Sequence, residues 1–231
     1  MSYLVNPYMV IASSDYPDGL GTDGDGTCTN VTENTTDQKL GDGCYAFNAS
    51  SSKVEIADML AESVFTISCW IQTGAVGSNQ SIFGNTDATN GMNLYLHSTG
   101  KLRCSEESTG TQLISSSTLV KDTWYNVIIT KTSGGTVTMY IDNVQEDQET
   151  DWIDLTGGST SELGSDQGDY WNGYLDEFAC WNVVISSSLR GEIYPDSSGA
   201  EISSLSDKDG ILVYFNMDEI VSGTAENIAI P

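Results

Sequence analysis

Positive charge is nearly missing from this chain. In 231 residues, 8 Lys and Arg stand against 33 Asp and Glu, a formal net charge of −25 and a pI near 4.1. Such a surface repels nucleic-acid phosphates and anionic lipid, so neither nucleic acid nor membrane is expected as a partner. It favours cations, solubility and resistance to clumping at high local concentration. Long apolar runs are missing too: 210–215 and 127–129 are among the longest and are far too short to cross a bilayer. The opening Met1–Tyr8 has no basic start and no long apolar core, so no secretory signal is read, and synthesis in a cytoplasm is expected. Only one histidine is present, His97, and any Ser-His-Asp or Cys-His arrangement would have to use it. It ends an apolar strand beside a hairpin and is expected to be a solvent-exposed turn residue. The five cysteines (28, 44, 69, 104, 180) cannot all pair within one chain. Without a secretory signal, reduced and mostly buried thiols are expected, with Cys69 and Cys180 in the core. Cys28 and Cys44 flank a polar loop and are the one candidate bridge. Their spacing lacks the close Cys/His pairs of a zinc site.

Helical periodicity is scarce as well. Only Ile56–Glu62 and Ser186–Tyr194 hint at a turn or two. What is present is strand alternation cut by turn residues. In 64–71, Phe65, Ile67, Cys69 and Ile71 take one face, and Thr66, Ser68 and Trp70 the other. Residues 91–97 and 101–107 flank Ser98-Thr99-Gly100, and 124–131 and 136–141 flank Thr132-Ser133-Gly134-Gly135, reading as two hairpins. Asp142-Asn143 makes a further turn. Residues 174–184 and 211–215 complete the set, with Tyr174, Asp176, Phe178 and Cys180 on one face. The pattern specifies an all-β sandwich or barrel with Phe65, Ile67, Cys69, Val127, Ile129, Phe178, Cys180 and Val213 in its core. Trp70, opposite the apolar face, and Trp152, in a polar loop, are left unplaced. Three regions are expected: an apolar arm at 1–11, an acidic Gly-rich loop at 12–38, and one sandwich domain over 39–231.

The order of strand motifs resembles the laminin-G-like, concanavalin-A-like jelly-roll family. The likeness rests on Lys39–Glu55 (KLGDGCYAFNASSSKVE), Phe65–Gln72 (FTISCWIQ), Asp122–Asn143 (DTWYNVIITKTSGGTVTMYIDN), Leu163-Gly164 with Trp171–Asn182 (WNGYLDEFACWN), and Asp209–Glu219 (DGILVYFNMDE). Asn143 stands where the family usually has Gly. The resemblance covers roughly residues 39–220 and implies a two-sheet antiparallel jelly roll; the fold hosts many unrelated tasks, so it says little about function.

Glycosidases of this family carry Glu-x-Asp-x-Glu, which puts three carboxylates on one strand face. No such run exists here. Glu149-Thr150-Asp151 begins one, but Ile153 takes the third place. Glu106-Glu107 and Asp176-Glu177 are adjacent, so a regular strand would send each pair to opposite faces. No catalytic site and no enzyme activity are expected. Asp15, Asp18, Asp23 and Asp25, with Glu33 and Asp37, crowd one Gly-rich loop, a donor set that calcium prefers. The resemblance implies a structural calcium, and Asp176 is the sandwich carboxylate assigned to it; no other cofactor is expected. Within the arm, Tyr3, Leu4, Val5, Tyr8 and Met9 are expected to dock on another subunit by β-augmentation, or else to form this sandwich's own first strand. The opening residues resemble those of phage capsid-decorating and tail-fibre proteins. The expected role is a non-catalytic phage virion protein, in many copies or as a homo-oligomer, with other virion proteins as partners. A carbohydrate-binding adhesin module with a host-surface glycan as ligand is the alternative.

Overall fold

In the computed structural model, residues 25–57, 63–85, 91–156, 160–166 and 168–228 are described. They form two large antiparallel sheets face to face. The first runs Thr224–Ala225, Gly26–Thr29, Lys53–Ala57, Thr160–Leu163, Gln80–Gly84, Met92–Leu96, Leu102–Glu106, Gln112–Ile114. The second runs Val144–Glu149, Val137–Ile141, Trp124–Lys131, Phe65–Thr73, Asn172–Trp181, Cys44–Asn48, Thr32–Asn34, with Ile211–Phe215 also paired to Asn172–Trp181.

All eight residues expected in the core are buried. They lie between the sheets in one cluster with Trp171, Leu94, Leu163 and Phe83, where Phe178 stacks on Phe83 (5.6 Å between centroids) and on Phe215 (6.1 Å). The expected turns form as the sequence specifies. Asp142 and Asn143 both take positive φ, 53° and 60°, the pair a type I′ hairpin turn needs, and Asn143 tolerates it in place of glycine.

A second apolar layer lies outside the second sheet. The helix Ser187–Ile193 begins where the Ser186 hydroxyl accepts from Leu189 N (3.1 Å), as a Ser N-cap does. Its Leu189 and Ile193, with Ile185, Ile202 and Leu205, pack on Ile128, Ala179, Trp181 and Tyr214 of the strands. That sheet is therefore apolar on both faces over much of its area. Trp70 is buried on its outer side, and Trp152 joins the inner core.

Two expectations need correction, and one is met: the cysteines are free thiols. Residues 26–29 and 32–34, read as loop, are strands in opposite sheets, because Lys53–Glu55 and Cys44–Ala46 give their backbones partners that no local pattern reveals. Ile56 and Ala57, read as helical, end the strand Lys53–Ala57, whose alternation places Val54 and Ile56 inward. Cys28 and Cys44 lie on different sheets and form no bridge. Burial pushes the Cys28 thiol up to about 11 and that of Cys44 to about 12.

Because Phe178 holds the ring stack at the sandwich centre, Phe178→Ala is expected to cost roughly 3–5 kcal/mol in urea unfolding, from lost burial plus the cavity left behind. Phe178→Leu should cost clearly less. Equal costs would mean that the stack contributes little.

Candidate functional site

The outer face of the first sheet carries no hydrophobic cluster among the described residues and is termed the open face, although Asp166 lies over its Gly84. Consecutive Cα partners run across it as Thr27, Glu55, Glu162, Gly84, Asn93, Ser105, Gln112. One residue along each strand, the row Cys28, Val54, Leu163, Phe83, Leu94, Cys104, Leu113 faces the core. Period-2 geometry thus sorts an apolar row inward and a polar row outward across the same strands. A second outward row holds Ser81, Tyr95, Arg103 and Ile114.

The polar side chains are held in fixed orientations. The Ser81 hydroxyl donates to Asn93 Oδ1 (3.0 Å), and Asn93 Nδ2 donates to Asp166 Oδ2 (2.7 Å). Asp166 lies directly on Gly84, where a Cβ would come within 2.7 Å of its carboxyl carbon, so no other residue fits at that crossing. Lys53 pairs with Glu162 at 2.8 Å and with Glu55 at 3.2 Å, and the bond to Glu162 raises its pKa most. Tyr95 is half-buried opposite Arg103, with the His97 ring edge-on at 6.4 Å. Arg103 Nη1 reaches Gln112 Oε1 at 3.4 Å, while its buried Nε has no partner among the described residues. His97 Nδ1 is occupied by the Thr99 hydroxyl at 2.9 Å. A flat ring, a guanidinium, an amide and carboxylates thus share one open surface. Such a set can hydrogen-bond many hydroxyls of a ligand lying across the strands.

On the other sheet, the strand Asn172–Trp181 contains a bulge: register shifts between Asp176 and Ala179, and Glu177 takes φ 52°. Two residues oppose one there, so the alternation resets. Asp176 and Glu177 therefore both point outward, correcting the expectation that adjacency sends them apart, while Phe178 and Cys180 return to the core and leave the face of Tyr174 and Asp176. Asp176 Oδ2 accepts from Lys39 N (2.9 Å) and Leu40 N (3.0 Å). Glu177 accepts from Ile202 N (2.7 Å) and the Tyr214 hydroxyl (2.8 Å). Burial is the largest cause raising both carboxyls, Asp176 to about 7 and Glu177 to about 8.

Of the residues expected to bind calcium, Asp15, Asp18 and Asp23 lie outside the described residues, as do Tyr3, Leu4, Val5, Tyr8 and Met9 of the arm. Asp25 accepts from Asn227 N (2.9 Å) and Asp176 holds the Lys39–Leu40 backbone. Among the described residues neither belongs to a group of three or more His, Cys, Asp or Glu side chains that could hold a metal ion. Asn93, Tyr95, Arg103 and Asp166 were not singled out by sequence. The hairpin placed three of them side by side, but Asp166 arrives 73 residues later in the chain.

Two twisted antiparallel sheets with one open polar face define a jelly-roll sandwich of the lectin type. The chain belongs to the concanavalin A-like lectin/glucanases superfamily, whose family model matches residues 48–188. No curated protein matches it in sequence. Among solved structures it is similar to domain 4 of AbnA, an extracellular arabinanase from Geobacillus stearothermophilus, in complex with arabinotriose. The identity is 17%, covering 79% of this chain and 93% of that one, with a TM-score of 0.62. It is similar also to the receptor binding domain of botulinum neurotoxin D (16% identity, TM-score 0.59), covering 74% of this chain and 47% of that one. The heptameric SAP-like pentraxin of Limulus polyphemus follows at 14% identity and TM-score 0.53, covering 64% of this chain and 80% of that one. At these identities the likeness is one of fold.

The raised carboxyls give a stability test. Asp176 and Glu177 bind their protons more tightly folded than unfolded, so stability is fullest below the ordinary carboxylate range and falls as pH rises through about 7 and 8. The melting temperature is expected to fall from pH 5.5 to pH 8.5, and less steeply in Asp176→Asn. Identical slopes in the two proteins would show that Asp176 is not the titrating group.

Proposed function

We propose that this domain is a non-catalytic carbohydrate-binding module and that the open face of the first sheet contacts the sugar. The observation that carries the reading is the partly exposed Asn93 amide, held in place by the buried Ser81 and Asp166, beside Tyr95 and Arg103. A fixed amide and a guanidinium next to a flat ring answer both sides of a pyranose or furanose, its hydroxyls and its apolar face. The shared fold with an arabinanase domain crystallised with arabinotriose supports the class of ligand. Support for the absence of catalysis comes from the carboxylates. The strand that begins Glu149-Thr150-Asp151 stops at Glu149. Asp176 and Glu177 are buried, and Asp176 Oδ2 and Glu177 Oε2 accept from backbone N–H groups.

The setting we propose is the surface of a phage particle, as a capsid-decorating or tail-fibre protein in many copies. A net charge of −25 supports this, since crowded copies would repel rather than aggregate. Mass spectrometry of purified particles tests the setting separately from the ligand.

For the ligand, a glycan array followed by calorimetry is decisive. Tyr95→Ala and Arg103→Ala are each expected to weaken binding at least tenfold while leaving the melting temperature within a few degrees. Unchanged affinity in both variants would remove the open face from consideration, and an empty array would overturn the reading itself.

A further inference from the structure

The outer side of the second sheet holds a different assembly, centred on Trp70. Asp176, Trp70 and Asn126 are direct cross-strand neighbours, and Asp142 Oδ1 accepts from Asn126 N at 2.9 Å. Asp176, Trp70 and Asn126 are all buried, at 0%, 1% and 0% exposure. Tyr194 stacks on the Trp70 ring with centroids 5.7 Å apart. Gly199 closes on its edge, where a Cβ would fall 2.5 Å from Trp70 Cζ2. The ammonium of Lys39 sits 4.3 Å from the centroid of the same indole. It donates to the Ser197 carbonyl and feels the charges of Asp142, Asp196 and Asp176. One indole face and a backbone carbonyl hold this nitrogen within the field of three carboxylates, a cage for an ammonium in which cation–π attraction grows as water is excluded.

The floor of this cage is not fully used. Trp70 Nε1, Asp176 Oδ1, both side-chain ends of Asn126 and Gln38 Oε1 are buried without a partner among the described residues. A network serving only the fold satisfies its buried polar atoms, because each one left unpaired costs about 1–3 kcal/mol. Here unpaired donors and acceptors belong to the cross-strand neighbours of the indole that carries the ammonium, and to the residue before Lys39, a set that a hydroxyl-bearing amine would complete.

We infer that Lys39 is a self-supplied occupant of an ammonium cage, and that the cage takes a hydroxylated amine of the amino-sugar class when the Lys39 side chain withdraws. The ligand's ammonium would replace that of Lys39 over Trp70, and its hydroxyls would meet Trp70 Nε1, Asn126 and Asp176 Oδ1. The choice of a sugar amine rests on the carbohydrate-binding reading, although the site lies on the opposite sheet from the open face.

Calorimetric titration with glucosamine, glucose and tetramethylammonium tests this in the wild type, in Lys39→Met, and in Lys39→Met combined with Asp196→Asn. Met fills the space of the lysine stem without its charge, and an Asn at 196 can keep the Oδ1 that caps Ser198 N (2.7 Å). Glucosamine is expected to bind Lys39→Met at least tenfold more tightly than wild type, with glucose unchanged and the added Asp196→Asn reversing part of the gain. Adding Tyr95→Ala should leave this gain intact, which separates failure here from failure of the open-face reading. No gain for glucosamine, or an equal gain for glucose, would overturn the proposal and leave ordered water as the partner of those atoms. Tighter binding of tetramethylammonium than of glucosamine would overturn the sugar-amine assignment. Should Lys39→Met not fold, the indole N–H resonance of Trp70 in the wild type carries the same test. It should shift with glucosamine and not with glucose, and a resonance unmoved by glucosamine overturns the proposal.

Discussion

Glu177 stands in the left-handed region in the middle of the strand that binds the second sheet together, and much else depends on that one residue. Without the bulge, the alternation that carries Asp176 outward would drive Glu177 into the stack of Phe83, Phe178 and Phe215. A carboxylate there would have no donor and would cost several kcal/mol. The bulge costs on the order of 1–3 kcal/mol in backbone strain and turns both acids to the outside. There Asp176 holds the backbone of residues 39–40 and Glu177 holds Ile202 and Tyr214. Hydrogen bonds to charged or partly charged acceptors contribute about 1.5–3 kcal/mol each, enough to offset the strain. Two neighbouring side chains thereby pin the two segments that cover the sheet, one from each side.

That covering makes the two sheets unlike. The outward positions Ile128, Ala179 and Trp181 of the second sheet are apolar because Leu189, Ile193 and Leu205 lie on them. The corresponding outward positions of the first sheet, Asn93, Ser105 and Gln112, are polar because no apolar layer among the described residues lies there; over Asn93 it is the carboxylate of Asp166 that does. The difference was present in the strand sequences, yet its meaning depended on knowing where residues 185–205 would fold. This is why Trp70 could not be placed from its own strand. Its period-2 position was outward, and outward on this sheet is buried.

Much of the fold was legible because the strands obey one rule. Phe65, Ile67 and Cys69 alternate cleanly, and the register they imply survives against Val127 and Ile129 on the neighbouring strand. Hairpin turns could be read from Gly100, Gly135 and Asp142-Asn143, all at positive φ, since few residues accept that conformation. Legibility ended where the rule broke or where partners came from afar. Nothing in Leu175-Asp176-Glu177-Phe178 announces a bulge, because a left-handed Glu is a property of the surrounding bonds. The strands Gly26–Thr29 and Thr32–Asn34 are polar and short, and only the sheet edges they complete make them strands. The open face was half legible. Tyr95 and Arg103 face each other within one readable hairpin, whereas Asp166 reaches Asn93 across 73 residues over a glycine that no local pattern marks.

Charge then sharpens what either surface can take. Eight basic residues serve the whole chain, and two of them, Lys53 and Arg103, stand on the open face. Lys53 is neutralised by Glu55 and Glu162, whereas Arg103 has no carboxylate partner in the described network. One guanidinium set in a field of −25 cannot hold a sulfated or uronic chain against the repulsion of the rest, except at high salt where the field is screened within about 8–10 Å. Under the readings proposed above, uncharged sugars would escape that penalty on the first sheet, and amines would gain from it on the second, where Asp142, Asp196 and Asp176 attract the Lys39 ammonium. The acidity proposed to keep copies of this domain apart would thus also filter its proposed ligands, discriminating by sign before any hydrogen bond is formed.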